Sequence, residues 1–75
     1  MRYVQYYWKH ENKMMEEIGD RGVVILDARN SVETSINDAK EFNGKHRPLY
    51  AGFKIFQGES FLNAKPITEL KEIHH

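Results

Sequence analysis

The side chains best suited to binding a ligand are three potential cations in succession, Lys45, His46 and Arg47. A basic loop of this kind can contact a phosphate backbone, and a nearby aromatic ring can stack on a base. The sequence therefore suggests a small nucleic-acid-binding domain that uses Lys45, Arg47, Tyr50 and Lys54. We rank this hypothesis second, because eleven basic and eleven acidic residues give a net charge of zero, without the basic excess of such domains.

The other reactive side chains do not form a catalytic or metal-binding set. Serine and threonine are present, but no glycine–serine–glycine nucleophile elbow is found, and the glycines lack the spacing of a phosphate-binding loop. Asp27 ends an apolar run, where an active-site carboxylate can lie, yet Asp in such a loop commonly bonds its own backbone. His10 and His46 are far apart, and there is no cysteine. We therefore predict a protein that is not an enzyme and binds no cofactor or metal.

Protein binding is the hypothesis that the composition favours. The chain has four Tyr, four Phe, one Trp and three Met, more than 75 residues are expected to bury. Tyr, Trp, Met and Arg are enriched in the cores of protein interfaces. The expected partner is another protein or a second copy of the chain. The predicted apolar anchors are Tyr7, Trp8 and Phe56, and the predicted polar anchors are Arg29 and Arg47.

Residues 22–43 are the stretch around which we expect the chain to be organised. Residues 23–26 are consecutive and apolar, and three of them are β-branched, which predicts a strand buried on both faces. A helix over 31–43 follows, with Ser31 or Asn30 as its N-cap and Asn43-Gly44 at its end. Four apolar side chains recur on one face of this helix: Val32, Ile36, Ala39 and Phe42.

Two further strands are indicated by alternation of apolar and polar residues, at 2–9 and 50–57. Gly52 in the second marks a bulge or a close approach of another backbone segment. Residues 11–19 suit either a helix or the return strand of a hairpin that turns at 11–13, and we favour the hairpin. Residues 66–73 suit either a short helix or an edge strand, and we favour the strand.

The predicted fold class is α+β, a small antiparallel sheet of three to five strands with one main helix (31–43) on one face. The other face is then partly open, and Tyr3, Tyr7, Lys54 and Phe56 are expected on it. Residues 1–75 form one domain, and 74–75 are compatible with the start of a purification tag. No cysteine, no apolar run of about 20 residues and a polar N-terminus predict a cytoplasmic protein that does not enter a membrane.

With this strand–helix order and the run RPLYAGFKIFQG in view, the chain resembles the small accessory proteins of bacteriophages and other mobile elements. These proteins are often cysteine-poor and have a β–helix–β order. The resemblance implies a modulator that binds one host protein. The balanced charge departs from the strongly acidic members that mimic DNA, so that mode of action is not expected here. The resemblance rests on general style over most of the chain, and it assigns no functional residues.

Overall fold

The computed structural model describes residues 1–45 and 50–73. This part of the chain holds one α-helix, six strands of one antiparallel sheet and a short 3-10 turn. In chain order they are β1 (Arg2–His10), β2 (Lys13–Glu16), the 3-10 turn (Asp20–Gly22), β3 (Val23–Leu26), α1 (Val32–Lys45), β4 (Gly52–Gln57), β5 (Lys65–Pro66) and β6 (Lys71–Glu72).

The sheet is organised around β1, its longest strand. One side of β1 pairs with β4, and the other side pairs first with β3 and then with β2. The far side of β4 pairs with β5 and β6. The predicted α+β class with one helix is therefore confirmed in its coarse form. The predicted three to five strands are too few, because each outer position of the sheet is divided between two short strands.

Alternation along β1 decides which side chains meet the helix. Val4 lies opposite Ile55 of β4, and Tyr6 lies opposite Phe53, and all four are almost completely buried. The Tyr6 hydroxyl donates to the carbonyl of Ala39 in α1 at 2.5 Å, which fixes the helix on this face of the sheet. The buried core consists of Val4, Tyr6, Leu26, Ala39, Tyr50, Phe53 and Ile55.

The β1–β2 connection is a two-residue hairpin turn. Glu11 and Asn12 have φ of 48° and 67°, and His10 pairs with Lys13 on either side of them. Positive φ at both central residues is typical of a type I′ turn, whose twist matches that of the two strands. The hairpin that we favoured for residues 11–19 is therefore confirmed, and its return strand covers Lys13–Glu16.

β3 is a strand, as predicted, but it is neither central nor buried on both faces. Among the described strands it pairs with β1 alone, and the Ile25 side chain is 57% exposed. Four consecutive apolar residues place two side chains on each face of a sheet. Because α1 covers one face only, Ile25 remains in contact with solvent. The chain is thus organised around β1 rather than around residues 22–43.

α1 is capped at Ser31, as the sequence predicts. The Ser31 hydroxyl accepts a hydrogen bond from the Thr34 amide at 3.1 Å. The helix continues to Lys45 instead of ending at 43. Its most buried face includes two polar side chains, Ser35 and Asn43, that the apolar pattern did not predict. Both are hydrogen-bonded: Ser35 accepts from Arg2, and Asn43 Oδ1 accepts from the backbone amide of residue 50.

The end of the chain forms strands rather than a helix. β5 and β6 are two residues long each, so the strand favoured for 66–73 is present only in part. Gly52 lies at a close approach of β6 to β4: a Cβ atom on Gly52 would be 2.8 Å from the carbonyl oxygen of Lys71. Of the two alternatives predicted for this glycine, a bulge or a close backbone approach, the close approach is the one found.

Candidate protein-binding face

The face of the sheet opposite α1, here called the open face, carries the side chains that the sequence assigned to it. Tyr3 lies opposite Phe56, and Gln5 lies opposite Lys54, so these side chains all point away from the helix. Tyr7, two residues further along β1, points the same way. No helix of the described residues covers this face. The predicted grouping of Tyr3, Tyr7, Lys54 and Phe56 is confirmed by the strand register.

An aromatic cluster occupies one half of the open face. The rings of Tyr3 and Phe56 stack with centroids 5.1 Å apart and planes 4° apart. Phe61, in the loop after β4, lies 4.9 Å from the Tyr3 ring and is 53% exposed. Ile25 pairs with Tyr3 across the strands and therefore adjoins the same cluster. Neither Phe61 nor Ile25 was predicted as a site residue, although an apolar pair in a polar loop is a signal at Phe61.

A groove of about 470 Å³ lies beside this cluster. Gln5 and Val23 of the sheet line it, together with Ile18 and Phe61 of two loops. The Ile18 side chain is 91% exposed, so one of the largest apolar side chains that line the groove is in contact with water. Gln5 holds the Ile18 loop in place, because its side-chain amide donates to the carbonyl of Glu17 at 3.0 Å. The groove is therefore open, only partly apolar, and attached to the central strand.

Three acidic residues, Glu16, Glu17 and Asp20, also line the groove. None of them has a salt-bridge partner among residues 1–45 and 50–73. Burial, and in second place the nearby Glu16 carboxylate, raise the pKa of Tyr7 and that of Tyr3. The groove thus combines apolar side chains with uncompensated negative charge. Such a surface suits a partner that presents an apolar side chain next to a basic one.

The five predicted partner-binding residues do not form one surface. Phe56 is half-buried on the open face beneath Tyr3. Tyr7 is on that face too, but only 8% exposed. Its ring lies 5.8 Å below the Lys54 ammonium group and its hydroxyl donates to Glu16 at 3.3 Å.

Trp8 points to the opposite face, where it packs against the core. Arg29 is exposed in the β3–α1 loop, away from the open face and from Trp8. Arg47 lies outside the described residues.

The residues of the nucleic-acid hypothesis are similarly separated. The Tyr50 ring is 2% exposed, and it stacks on Tyr6 at 5.0 Å inside the core. It is therefore not available to stack on a base. Lys54 lies on the open face, and the structure describes neither the Lys45 side chain nor Arg47.

Comparison with protein-family models, with curated proteins and with solved structures finds no match. The proposals below therefore rest on this chain alone. The described residues include no group of three or more His, Asp or Glu side chains placed to hold a metal ion. They also include no helix long and apolar enough to cross a membrane.

Asp27, the carboxylate considered for catalysis, has a local structural role. Its Oδ1 accepts from the backbone amide of Arg29 at 2.9 Å and from Nε at 3.0 Å, and its Oδ2 accepts from Nη2 at 2.9 Å. The interpretation that Asp27 bonds the backbone of its own loop is confirmed. The side-chain hydrogen bonds of Arg29, followed by its amide, lower the pKa of Asp27 to about 2.

We expect Arg29→Ala to raise the pKa of Asp27 towards the ordinary value of about 3.9 without reaching it, because the Arg29 amide remains. The depressed pKa in the folded state adds stability above about pH 4, and this contribution is lost as the pH falls towards 2. An NMR titration of the Asp27 carboxyl carbon measures both values. Asp38→Asn is the control, because Asp38 is not one of the groups that shift the pKa of Asp27. An ordinary pKa in the unsubstituted chain would contradict the pairing.

Proposed function

We propose that this chain is a non-enzymatic protein-binding module that binds another protein on the open face of its sheet. The observation that carries the proposal is the exposure of large apolar side chains there: Ile18, Ile25 and Phe61 are 91%, 57% and 53% exposed. Leu62, next to Phe61 in the same loop, is fully exposed. Burying one such side chain contributes roughly 1.5–3 kcal/mol. Clustered exposure of this kind marks an interaction surface more often than scattered exposure does.

The charge around the groove supports a choice of partner. Glu16, Glu17 and Asp20 favour a protein segment that carries lysine or arginine beside an apolar residue. The same carboxylates repel phosphate groups, so nucleic acid is the less favoured partner for this face. We further propose, as the resemblance to phage and mobile-element accessory proteins implies, that the partner is one host protein that the chain modulates, and, from the absence of cysteine, that it acts in the cytoplasm.

The proposal is tested with variants of the exposed side chains in the groove. The immobilised chain is used to capture partners from a lysate of its source organism, and the affinity of the captured protein is then measured. We expect Ile18→Ser and Phe61→Ser each to weaken binding at least tenfold, because each removes apolar area of about one buried side chain. Higher salt should also weaken binding, because exposed charges are screened.

Met15→Ser is the matched control, because Met15 is an exposed apolar residue that pairs with Trp8 and so points to the other face. Its affinity should stay within twofold of the original chain. Circular dichroism of each variant shows whether the fold is kept. Full affinity in both Ile18→Ser and Phe61→Ser, with the fold intact, would exclude the open face as the binding surface.

A further inference from the structure

Within residues 1–45 and 50–73, the edge of β3 that faces away from β1 has unpaired backbone groups at known positions. The Tyr6 carbonyl accepts from Glu17, on the β2–β3 side of β1, while the Tyr7 carbonyl accepts from Ala51, on the β4 side. Backbone groups alternate along a strand, so the even residues of β1 bond towards β3. Val24, opposite Val4, is then in a hydrogen-bonded pair, whereas Ile25, opposite Tyr3, is not. The amide and carbonyl of Ile25 therefore point outwards, to the free edge.

The residues two positions before and after Ile25 each keep one outward group free. The Val23 amide donates to the carbonyl of Asp20, which leaves the Val23 carbonyl. The Asp27 carbonyl accepts from the Asn30 amide, and the described residues provide no acceptor for the Asp27 amide. The edge thus offers a carbonyl at 23, both groups at 25 and an amide at 27.

Within the described part of the chain, β3 is also the edge that lacks protection against strand addition. The opposite edge consists of strands two residues long that carry Pro66 and charged residues, and β2 begins and ends with a charge. Short strands, proline and charges are the devices by which natural sheets prevent edge pairing. β3 is VVIL, without charge or proline.

We propose that two copies of this chain associate through antiparallel pairing of their β3 edges, about a two-fold axis at Ile25. In this register the two Ile25 residues exchange amide-to-carbonyl hydrogen bonds. The amide at 27 of each copy then meets the carbonyl at 23 of the other. The groups left out of this pattern are the Val23 amide and the Asp27 carbonyl, the two already bonded within the chain. The edge is therefore complementary to itself, as an interface with two-fold symmetry requires.

Apolar area favours the same register. On the open face the two exposed Ile25 side chains become neighbours. The two open faces then form one surface on a continuous sheet. This inference shares Ile25 with the proposed binding face, but its hydrogen bonds use the backbone at the edge of the sheet, so the dimer and the binding face can be tested separately.

Sedimentation velocity of the full chain over a series of concentrations tests the proposal. We expect a reversible monomer–dimer equilibrium. Ile25→Lys should raise the dimer dissociation constant at least tenfold, because it places two like charges opposite each other at the axis. Ile25→Glu should do the same. Ile67→Lys is the control: it adds the same charge to an exposed isoleucine at the other edge, and it should leave the dimer unchanged.

The decisive sample is an equimolar mixture of Ile25→Lys and Ile25→Glu. Only an interface that places position 25 against itself brings the new lysine and glutamate together, so the mixture should recover dimer that neither variant forms alone. A chain that stays monomeric at all concentrations, a dimer insensitive to both variants, or a mixture without recovery would each overturn the proposal. A monomer that still captures a partner through Ile18 and Phe61 would overturn the dimer and leave the binding face standing.

Discussion

Replacing Arg2 by methionine is expected to lower the free energy of unfolding by about 3 kcal/mol, a large share of the stability of a domain this small. Arg2 is only 6% exposed. Its guanidinium donates to the Asn30 carbonyl at 2.6 Å, to Ser35 Oγ at 3.0 Å and to Gln57 Oε1 at 2.7 Å. Methionine fills a similar volume but donates nothing. The substitution therefore leaves polar groups at a buried site without their donor, and it releases the start of α1 from the sheet.

Urea unfolding of Arg2→Met measures the loss. Arg21→Met is the matched control, because the Arg21 side chain is exposed and none of its hydrogen bonds within the described residues involves the guanidinium; its stability should change by less than about 0.5 kcal/mol. Combining Arg2→Met with Ser35→Ala should cost less than the sum of the two, because the second change removes an orphaned group. An Arg2→Met variant within about 1 kcal/mol of the original chain would contradict this account.

Arg2 also illustrates how far the sequence predicts the fold. The alternation along 2–9 correctly separates the helix side of β1 from the open face, and Arg2 is in phase with Val4 and Tyr6 on the helix side. Phase alone does not show that a charged residue near the terminus is buried. Its burial depends on acceptors at Asn30 and Ser35, which the chain supplies only after β3 and α1 are in place.

The sequence analysis expected the chain to be organised around β3 and α1, whereas the sheet is centred on β1, and the physical cause of this difference is related. The apolar run in β3 correctly predicts a strand, because β-branched residues favour extended backbone. Position within a sheet depends on how many other strands a segment pairs with, and local composition does not encode that number. Length is the better signal: β1 has nine residues and pairs with three strands, while β3 has four and pairs with one.

The candidate face could be predicted only in part for a similar reason. Alternation places Tyr3 and Phe56 together, since both belong to regular strands. Ile18 and Phe61 lie in loops, where the sequence has no periodicity that indicates which way a side chain points. The tertiary fold brings these two loops to the same groove. Two of the three cations of the basic loop, His46 and Arg47, lie in residues 46–49, outside the described part of the chain.

Gly22→Ala is the second substitution with a large expected effect, a loss of about 2 to 3 kcal/mol in the free energy of unfolding. Gly22 is buried between Glu17, in the loop after β2, and Gln5 of β1. A Cβ atom there would lie 2.5 Å from the Glu17 carbonyl oxygen and 2.7 Å from the Glu17 Cβ. It would also lie 2.9 Å from Gln5 Nε2, the group that holds this loop. Since the closest atoms belong to the backbone or adjoin it, the loop itself must move.

The same movement should reduce partner binding, because Glu17 and Ile18 line the groove. We expect Gly22→Ala to weaken capture at least as much as Ile18→Ser, measured at a temperature where the variant remains folded. Arg21→Ala is the control: it changes the neighbouring side chain of the same turn, which is exposed, so the free energy of unfolding should change by less than about 0.5 kcal/mol. A loss as small as this in Gly22→Ala would mean that crowding at Gly22 is relieved cheaply. Undiminished binding by folded Gly22→Ala would show that the Glu17–Ile18 side of the groove does not touch the partner, and the interface would then be confined to the Tyr3, Phe56 and Phe61 cluster.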